Sequence, residues 1–276
     1  MNENMLTKII DLSIEIEDGS VSEEVMPKIN YINHKKGAVY LGLGLLWKGD
    51  NFIKKIWNTL TCIFSGRVLT PKDFKDNIGL STELIKLSTH TGTHVDAPYH
   101  YGPQNKDISS LPLEIFFNDA VVLDFSTRNS ELSISKKEIT RKLKDIEYTL
   151  KRNDIVILRT GADKYWGTKY YTVKYVGLSV EGLDFLLDSG VQVIGTDCFG
   201  LDQPFQWMHK KYIESKDNNY LWPTHIHGRE RPYFMIEKMA NLEKLDKQFG
   251  FKVAAFPIKI KNASAAWSRV VAIFEK

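Results

Sequence analysis

The 276 residues carry a net charge of +3, and the 37 basic and 34 acidic side chains are interspersed along the chain. This balance excludes the basic patches that bind nucleic acid or an anionic membrane surface. The two cysteines exclude a disulfide framework and a thiolate metal cluster. The first five residues carry an acid where a signal peptide carries basic residues, and no apolar run approaches the ~20 residues that span a bilayer, so we expect a soluble, cytoplasmic protein.

The N-terminal part of the chain predicts a strand followed by a less regular region. Residues 9–16 end in the apolar–polar alternation of a strand with one buried face. Further on, Asp50 is placed to cap a helix whose apolar side chains recur at helical spacing, namely Ile53, Ile56, Trp57 and Leu60. We expect residues 40–70 to form part of a substrate lid or a subunit interface. The alternative is that the aromatic residues of this segment pack onto the domain.

Residues 90–100 concentrate side chains that bind metals. The stretch reads His-Thr-Gly-Thr-His-Val-Asp-Ala-Pro-Tyr-His, and residues 84–89 before it have the composition of a strand. Positions two apart share a face in an extended chain, so His90, His94 and Asp96 would project to one side, with a glycine between the histidines. Zn²⁺ and related first-row metals accept these ligand types. The sequence therefore predicts a metal site here.

The end of the same stretch predicts a turn and a separate role for the last histidine. Pro98 has no N–H to donate to a sheet, so the strand ends there. His100 then lies beyond the turn, free to face the site without being a ligand. A helix carrying His90 and His94 at positions i and i+4 is disfavoured, because the threonines, glycine and valine around them are poor helix formers.

This stretch resembles the signature His-x-Gly-Thr-His-x-Asp-x-Pro-x-His of the metal-dependent cyclase/hydrolase family, which includes bacterial kynurenine formamidase and isatin hydrolase. Every fixed position of the signature is present. The resemblance implies that His90 and His94 bind a first metal ion and that Asp96 also binds it and bridges to any second ion. It implies that His100 is the proton donor and acceptor. Residues 40–70 look like an addition relative to the shorter formamidases.

The middle of the chain predicts a strand, a helix and a second strand. Residues 120–125 and 154–159 have apolar strand sequences, and Ser135 with Glu138 forms a capping box for a helix that reaches about Leu150. A strand–helix–strand unit at this spacing favours an α/β fold. The aromatic loop of residues 165–175 either lines an apolar pocket or covers the core.

The next strand ends in an acid. A helix is predicted between Ser179 as its N-cap and Gly190 beyond its end, followed by a strand over residues 191–197. We interpret Asp197 as a structural acceptor of backbone N–H groups rather than as a ligand. In the family that the chain resembles, the corresponding Gly-x-Asp lies close to the active site. In this chain Asp197 is followed by Cys198, whereas members of that family often have Thr-Pro or Thr-Ser at this place.

A second group of candidate ligands lies nearer the C-terminus. Glu237 belongs to a short apolar strand, where a carboxylate is costly unless it is paired or metal-bound. Family members place a His twelve residues before a Glu in an Ile-Glu-x-x-x-Asn-Leu-like segment, and His225 and Glu237 have this separation. The resemblance implies that Glu237 is a metal ligand and that His225 holds a second ion or helps in proton transfer. His227 is the rival to His225, since both would share a face of an extended segment.

The C-terminal residues complete the predicted fold. Residues 251–260 and 269–274 predict two closing strands around an Ala-Ser-Ala-Ala-Trp loop. The resemblance covers nearly the whole chain. It implies one α/β domain over residues 1–276 with a mixed, barrel-like central β-sheet flanked by helices, the swivelling β/α fold of kynurenine formamidases and cyclases. It also implies a homodimer or homotetramer.

A centre of two histidines and an aspartate beside a further histidine predicts metal-assisted hydrolysis of a small molecule. One or two Zn²⁺ ions, or Mn²⁺, would acidify water and polarise a carbonyl group. The pKa of histidine suits His100 for proton transfer in both directions. With the resemblance added, the expected substrate is an aryl formamide, a lactam or a lactone. The alternatives are a polyketide-type cyclase or a dehydratase using the same metal site, and a non-catalytic binder of metal or small ligands.

Overall fold

The computed structural model describes residues 8–44, 51–128 and 132–274. The chain forms two compact units, one made of Met1–Met26 with Ser88–Lys276 and the other of Pro27–Leu87. The described strands are β1 Lys8–Asp11, β2 Lys28–Ile32, β3 Thr82–Lys86, β4 His94–Asp96, β5 Phe117–Asp124, β6 Ile155–Arg159, β7 Val193–Thr196, β8 Phe234–Glu237, β9 Phe251–Ala254, β10 Ala265–Trp267 and β11 Val271–Phe274. The described helices are α1 His34–Gly44, α2 Phe52–Phe64, α3 Lys136–Asp145, α4 Val180–Asp188, α5 Phe205–Ser215 and α6 Pro223–His227. Among them, no helix has the length and apolar character needed to cross a membrane.

The larger unit is built on a mixed sheet of nine strands in the order β1-β11-β9-β5-β6-β7-β8-β4-β10. Neighbours from β5 to β8 pair in parallel, and the other pairings are antiparallel. α3 connects β5 to β6, and it begins at the capping box of Ser135 and Glu138. It ends at Asp145, earlier than the sequence predicts. The predicted α/β fold with a mixed central sheet is therefore confirmed.

The parallel strands are buried on both faces, which explains their continuous apolar sequences. Along β6, Ile155 and Ile157 belong to one hydrophobic cluster, whereas Val156 and Leu158 belong to a second. The second cluster also contains the buried side chains of α3 and α4. Because each face of the sheet packs against its own core, β7 and β8 are rigid supports for the side chains at their ends.

The C-terminal strands differ from the prediction. Three strands form instead of two, because Ala265–Trp267 within the predicted loop is itself β10. It pairs antiparallel with β4, with Ala265 opposite Asp96 and Trp267 opposite His94. The prediction of a loop is wrong for these three residues, because the segment is too short to show the apolar–polar alternation of a strand. The consequence is that β4, which carries two of the candidate ligands, has a partner on each side.

The smaller unit contains β2, β3, α1 and α2. β2 and β3 pair antiparallel, and β3 ends at Lys86, so residues 84–89 do not form one strand leading into the motif as predicted. The helix predicted around Ile53 and Leu60 is α2. The predicted cap, Asp50, lies outside the described residues, and Asn51 is the N-cap, accepting a hydrogen bond from the Lys54 N–H at 2.9 Å. Whether residues 40–70 act as a lid or an interface stays a prediction.

Candidate metal centre and active-site cavity

Three candidate ligands are brought together by two paired strands. His94 and Asp96 are two residues apart on β4, so their side chains share a face. β8 pairs with β4 in a register that puts Glu237 opposite His94. His94 Nε2 lies 3.2 Å from Asp96 Oδ1 and 3.4 Å from Glu237 Oε2. The side chains of His94 and Asp96 are fully buried, at 0% exposure.

His90 reaches the same point from a turn rather than from a strand. Gly92 has φ +62°, a left-handed conformation that favours glycine, and β4 begins only at His94. The expectation of an extended chain from residue 90 is therefore wrong, although the expected convergence occurs. His90 Nδ1 lies 3.3 Å from His94 Nε2 and 3.0 Å from Asp96 Oδ1. The Gly92 carbonyl accepts a hydrogen bond from His94 Nδ1 at 2.8 Å, which leaves His94 Nε2 facing the carboxylates.

His225 approaches from the opposite side of Glu237. It lies on the short helix α6, so the extended segment assumed for residues 225–227 is wrong. His225 Nε2 is 4.0 Å from Glu237 Oε1, and its Nδ1 is hydrogen-bonded to Asp202 Oδ2 at 2.5 Å. Burial lowers the pKa of His225, but the hydrogen bond and charge of Asp202, together with the Glu237 and Asp96 carboxylates, outweigh burial and raise this pKa to about 9. Asp202 thus orients the imidazole towards Glu237.

The buried carboxylate oxygens test whether these residues fit a metal ion. Both Asp96 oxygens and Glu237 Oε1 are buried and have no hydrogen-bond partner among the described residues. A buried acceptor without a partner costs about 1–3 kcal/mol, and more when it is charged. Two three-residue groups offer ligand atoms within 4.8 Å of one another, His90 with His94 and Asp96, and Asp96 with His100 and His225. The residues therefore fit a divalent ion, and Asp96 belongs to both groups.

The electrostatics of the site also favour a cation. Burial lowers the pKa of His94, but the Asp96 and Glu237 carboxylates outweigh burial and raise this pKa to about 9. Burial raises the pKa of Asp96, yet His90 and His94 outweigh it and hold this pKa well below its ordinary value. The Asp96 carboxylate, held ionised in this buried position, stabilises positive charge beside it.

His100 is the most exposed of the candidate residues, although its ring is partly buried. It ends a 3-10 turn, Pro98–His100, in which its N–H donates to the Ala97 carbonyl at 2.8 Å. The ring centroid of His100 is 4.4 Å from that of His90 and 5.4 Å from that of His225. Burial lowers the pKa of His100; the Asp96 carboxylate opposes this effect, and the neighbouring His90 and His225 add to it. A neutral imidazole beside the candidate ligands is able to accept a proton.

These residues lie on the wall of a cavity of about 790 Å³. His90, His100, His225 and Glu237 line one part of it, and its remaining wall is rich in aromatic residues, namely Tyr101, Tyr175, Phe199, Phe205 and Trp222. Phe205 and Trp222 stack with ring centroids 5.6 Å apart. The Thr91 hydroxyl is buried on this wall without a hydrogen-bond partner in the described chain. A Cβ on Gly200 would lie 3.3 Å from Glu237 Oε1, so glycine keeps the space beside that oxygen clear.

The other residues singled out from the sequence lie away from this cluster. Asp197 is buried and accepts backbone hydrogen bonds from Thr160, Gly161 and Ala162 at 2.6 to 3.1 Å, the arrangement expected for a structural acceptor. Burial raises the pKa of Asp197 to about 6. His227 Nε2 lies 2.8 Å from Asp184 Oδ1 instead of facing Glu237. The helical turn separates it from His225.

The sequence model of a family described as putative cyclase matches residues 10–203, which is more than half of the chain. The chain belongs to this cyclase family. A kynurenine formamidase of Bacillus cereus is 26% identical over 163 residues, which are 59% of this chain and 70% of that protein. Cyclase-like protein 3 of Oryza sativa is 30% identical over 209 residues, which are 74% of this chain and 69% of that protein. Isatin hydrolase A from Labrenzia aggregata, solved bound to benzyl benzoate, has a TM-score of 0.69 at 20% identity, covering 98% of this chain and 94% of that one.

The extent of these matches matters for the site. Matches to several further kynurenine formamidases span only 51% to 64% of the length of those proteins. The match to the cyclase family ends before His225 and Glu237, so the second half of the site rests on the fold and on the pairing of β8 with β4.

Sequence reasoning missed several residues that contact the site. Asp202 follows β7 in a loop, at the end of parallel strands where functional side chains gather, and this position was an available signal. Thr91 is an unspecified position of the signature, so no pattern singles out its hydroxyl. Glu23 and Lys238 were also missed, because nothing in the sequence shows that two residues so far apart form a pair.

Proposed function

We propose that this protein is a metal-dependent hydrolase of a small non-peptide amide, lactam or lactone, similar in activity to an arylformamidase. The observation that carries the proposal is the convergence of the buried Asp96 and Glu237 carboxylates with histidine nitrogens beside an aromatic cavity. The kynurenine formamidase relatives and the His90–His100 signature support the same chemistry.

In this proposal His90, His94 and Asp96 hold one divalent ion. Glu237 completes this set or, with Asp96 and His225, holds a second ion. When bound, such an ion supplies Lewis acidity, which polarises a substrate carbonyl and makes water more acidic. Zn²⁺ and Mn²⁺ both suit imidazole and carboxylate ligands, so either is a candidate. Asp202 keeps the His225 imidazole directed at Glu237.

The remaining groups bind the substrate and move protons. His100 accepts a proton from the attacking water and passes it to the nitrogen or oxygen of the leaving group, so the carbonyl–heteroatom bond is replaced by a carbonyl–oxygen bond. The aromatic wall suits a planar ring, and the Thr91 hydroxyl is available to hydrogen-bond a polar group on it. A cavity of about 790 Å³ has the size of a small-molecule site.

The test is metal loading followed by a hydrolysis assay. Protein stripped with a chelator and reloaded separately with Zn²⁺ or Mn²⁺ is expected to hydrolyse N-formyl aryl amides, lactams or aryl lactones, and the stripped protein is not. Elemental analysis of the same samples gives the number of ions per chain. The family is described as putative cyclase, so a bound metal with a product formed without water uptake would favour ring formation instead. Failure to bind metal under any loading condition would contradict the proposal.

We also propose that α2 forms a contact between two copies of the chain. None of its thirteen residues is buried, and Ile53, Ile56, Trp57, Leu60 and Phe64 recur on one face at helical spacing. Their exposed fractions range from 43% to 86%. A contiguous exposed apolar stripe of this kind marks an interaction surface, and a second copy supplies the same apolar stripe in return.

Light scattering is expected to give the mass of a dimer or tetramer for the wild-type protein, and Trp57→Glu is expected to shift it towards the monomer. Leu132→Glu, which places the same charge on an exposed apolar residue of the larger unit, serves as the control and should not change the mass. A wild-type protein that is monomeric at every concentration would rule out this contact.

A further inference from the structure

A buried ion pair lies beside the metal centre. The Lys238 ammonium donates a hydrogen bond to Glu23 Oε2 at 2.5 Å, and each side chain is only 3% exposed. Glu23 comes from the N-terminal segment of the larger unit, and Lys238 directly follows the candidate ligand Glu237. The pair lines the same cavity as His90 and His100.

The pair contacts both ends of the turn that carries His90. The Lys238 ammonium donates a second hydrogen bond to the His90 carbonyl at 2.7 Å. The Gly92 N–H donates to the other oxygen of the Glu23 carboxylate, Oε1, at 2.6 Å. The turn of residues 90–92 is therefore held at its first carbonyl by the cation and at its last N–H by the anion.

The backbone of Lys238 is fixed as well. Lys238 has φ +55°, a left-handed conformation that is unfavourable for a residue other than glycine. Its N–H donates to the Cys198 carbonyl at 3.0 Å, and its carbonyl accepts from the Thr93 hydroxyl at 2.5 Å. The Phe199 ring lies 4.5 Å from its ammonium nitrogen. These contacts aim the ammonium at the His90 turn.

A buried ion pair lowers the stability of a protein if its side chains serve only to pack the interior. Removing two charges from water is unfavourable, and apolar side chains of similar volume often stabilise a protein more than a buried pair does. Apolar side chains at positions 23 and 238 would leave the His90 carbonyl and the Gly92 N–H without these partners. What the ion pair supplies, and an apolar pair cannot, is the fixed conformation of the turn.

We propose that Glu23 and Lys238 are positioning residues that hold the His90–Gly92 turn in the conformation in which the His90 and His94 nitrogens converge on Asp96. The turn sets the His90 ring directly, and it sets the His94 ring through the Gly92 carbonyl that accepts from His94 Nδ1. This inference rests on the proposed metal site and extends it to the N-terminal segment, whose described residues include none of the candidate ligands.

The test compares the Zn²⁺ affinity of Glu23→Gln and Lys238→Met with that of the wild type, by competition with a chromophoric chelator. Loss of groups that orient metal ligands typically lowers metal affinity about 10- to 100-fold, and we expect this for each single variant. The double variant should lose less than the product of the two single losses, because each single change leaves one buried charge without its partner. Turnover should recover at saturating metal with an unchanged KM.

A matched control separates positioning from general loss of stability. Glu138 lies on α3 and forms an ion pair with Arg128, in which Glu138 Oε1 is 2.7 Å from Arg128 Nε. Glu138→Gln removes the same charge from this pair as Glu23→Gln removes from the pair with Lys238. It is expected to lower the melting temperature and leave Zn²⁺ affinity unchanged. If Lys238→Met fails to fold, Glu23→Gln alone carries the test, because glutamine keeps the shape of the side chain.

The outcomes distinguish this inference from the proposed function. Zn²⁺ affinities of Glu23→Gln and Lys238→Met within twofold of the wild-type affinity would overturn the positioning role. A loss of Zn²⁺ affinity in Glu138→Gln as large as the loss in these two variants would overturn it as well. A wild-type protein that binds Zn²⁺ but hydrolyses none of the test compounds would overturn the hydrolase alone, and the affinity comparison would still decide the role of the pair. A wild-type protein that binds no metal would overturn both.

Discussion

Asp96→Asn is expected to remove the bound metal and to reduce hydrolysis to the rate in buffer. Asp96 is the one residue shared by both groups of candidate ligands, and neither of its oxygens has a hydrogen-bond partner in the described chain. An amide keeps the volume but loses the charge that offsets a divalent cation, and its NH₂ group would face the imidazole nitrogens. Elemental analysis after metal loading and dialysis measures the first effect, and the formamide assay measures the second.

Asp197→Asn is the matched control for this prediction. Asp197 is also an aspartate at 0% exposure in the larger unit, but its oxygens accept hydrogen bonds from three backbone N–H groups. Losing such bonds costs about 1–3 kcal/mol of folding stability. We expect this variant to melt at a lower temperature and to keep its full metal content. Wild-type metal content in Asp96→Asn, or equal losses in both variants, would contradict the assignment of Asp96.

The signature made the candidate ligands predictable, but the backbone conformation that brings them together could not be predicted. Residue types and spacing are enough to identify His90, His94 and Asp96 as candidate ligands. The spacing of these residues by even numbers suggests one extended strand. The convergence of their side chains depends instead on the left-handed conformation of Gly92 and on a strand of only three residues. A turn and a strand bring the same side chains together, so the expected convergence occurs despite the error in local conformation, and the role of these residues as ligands stays a prediction.

The second half of the site shows what a single sequence leaves out. The separation of His225 from Glu237 was informative, yet their approach depends on the pairing of β8 with β4 and on α6, which is five residues long. Strand pairing is a tertiary property with no local signal. The same holds for Asp202, whose carboxylate meets His225 across a separation of 23 residues, and for the contact of Glu23 with Lys238.

The parallel core was predictable for a physical reason. Strands buried on both faces need continuous apolar sequences, and residues 120–125 and 154–159 have them. Capping boxes are local, so the start of α3 at Ser135 could be identified from two side chains. β10, in contrast, is three residues long and is defined by its pairing with β4. Its sequence is too short to show a period.

His100→Gln is expected to lower kcat about 10²- to 10⁴-fold, the range for loss of a general acid–base group, while the metal content stays at the wild-type value. His100 is exposed to the cavity, and its ring lies 4.4 Å from that of His90. It is also a member of the group formed with Asp96 and His225, so a role as a ligand is the competing assignment. Measuring kcat and metal content on the same samples separates the two roles, because a ligand variant loses both.

His34→Gln serves as the control for His100→Gln, since His34 is an exposed histidine at the start of α1 in the smaller unit, and it should alter neither quantity. Wild-type kcat in His100→Gln would remove the proton-transfer role and favour a site that only binds its metal and ligand. Loss of one ion together with kcat would instead make His100 a ligand of a second metal. Proton transfer would then fall to another side chain on the cavity wall; Tyr101 is a poor substitute, because burial raises its pKa well above the ordinary value and its hydroxyl donates to the Tyr233 carbonyl.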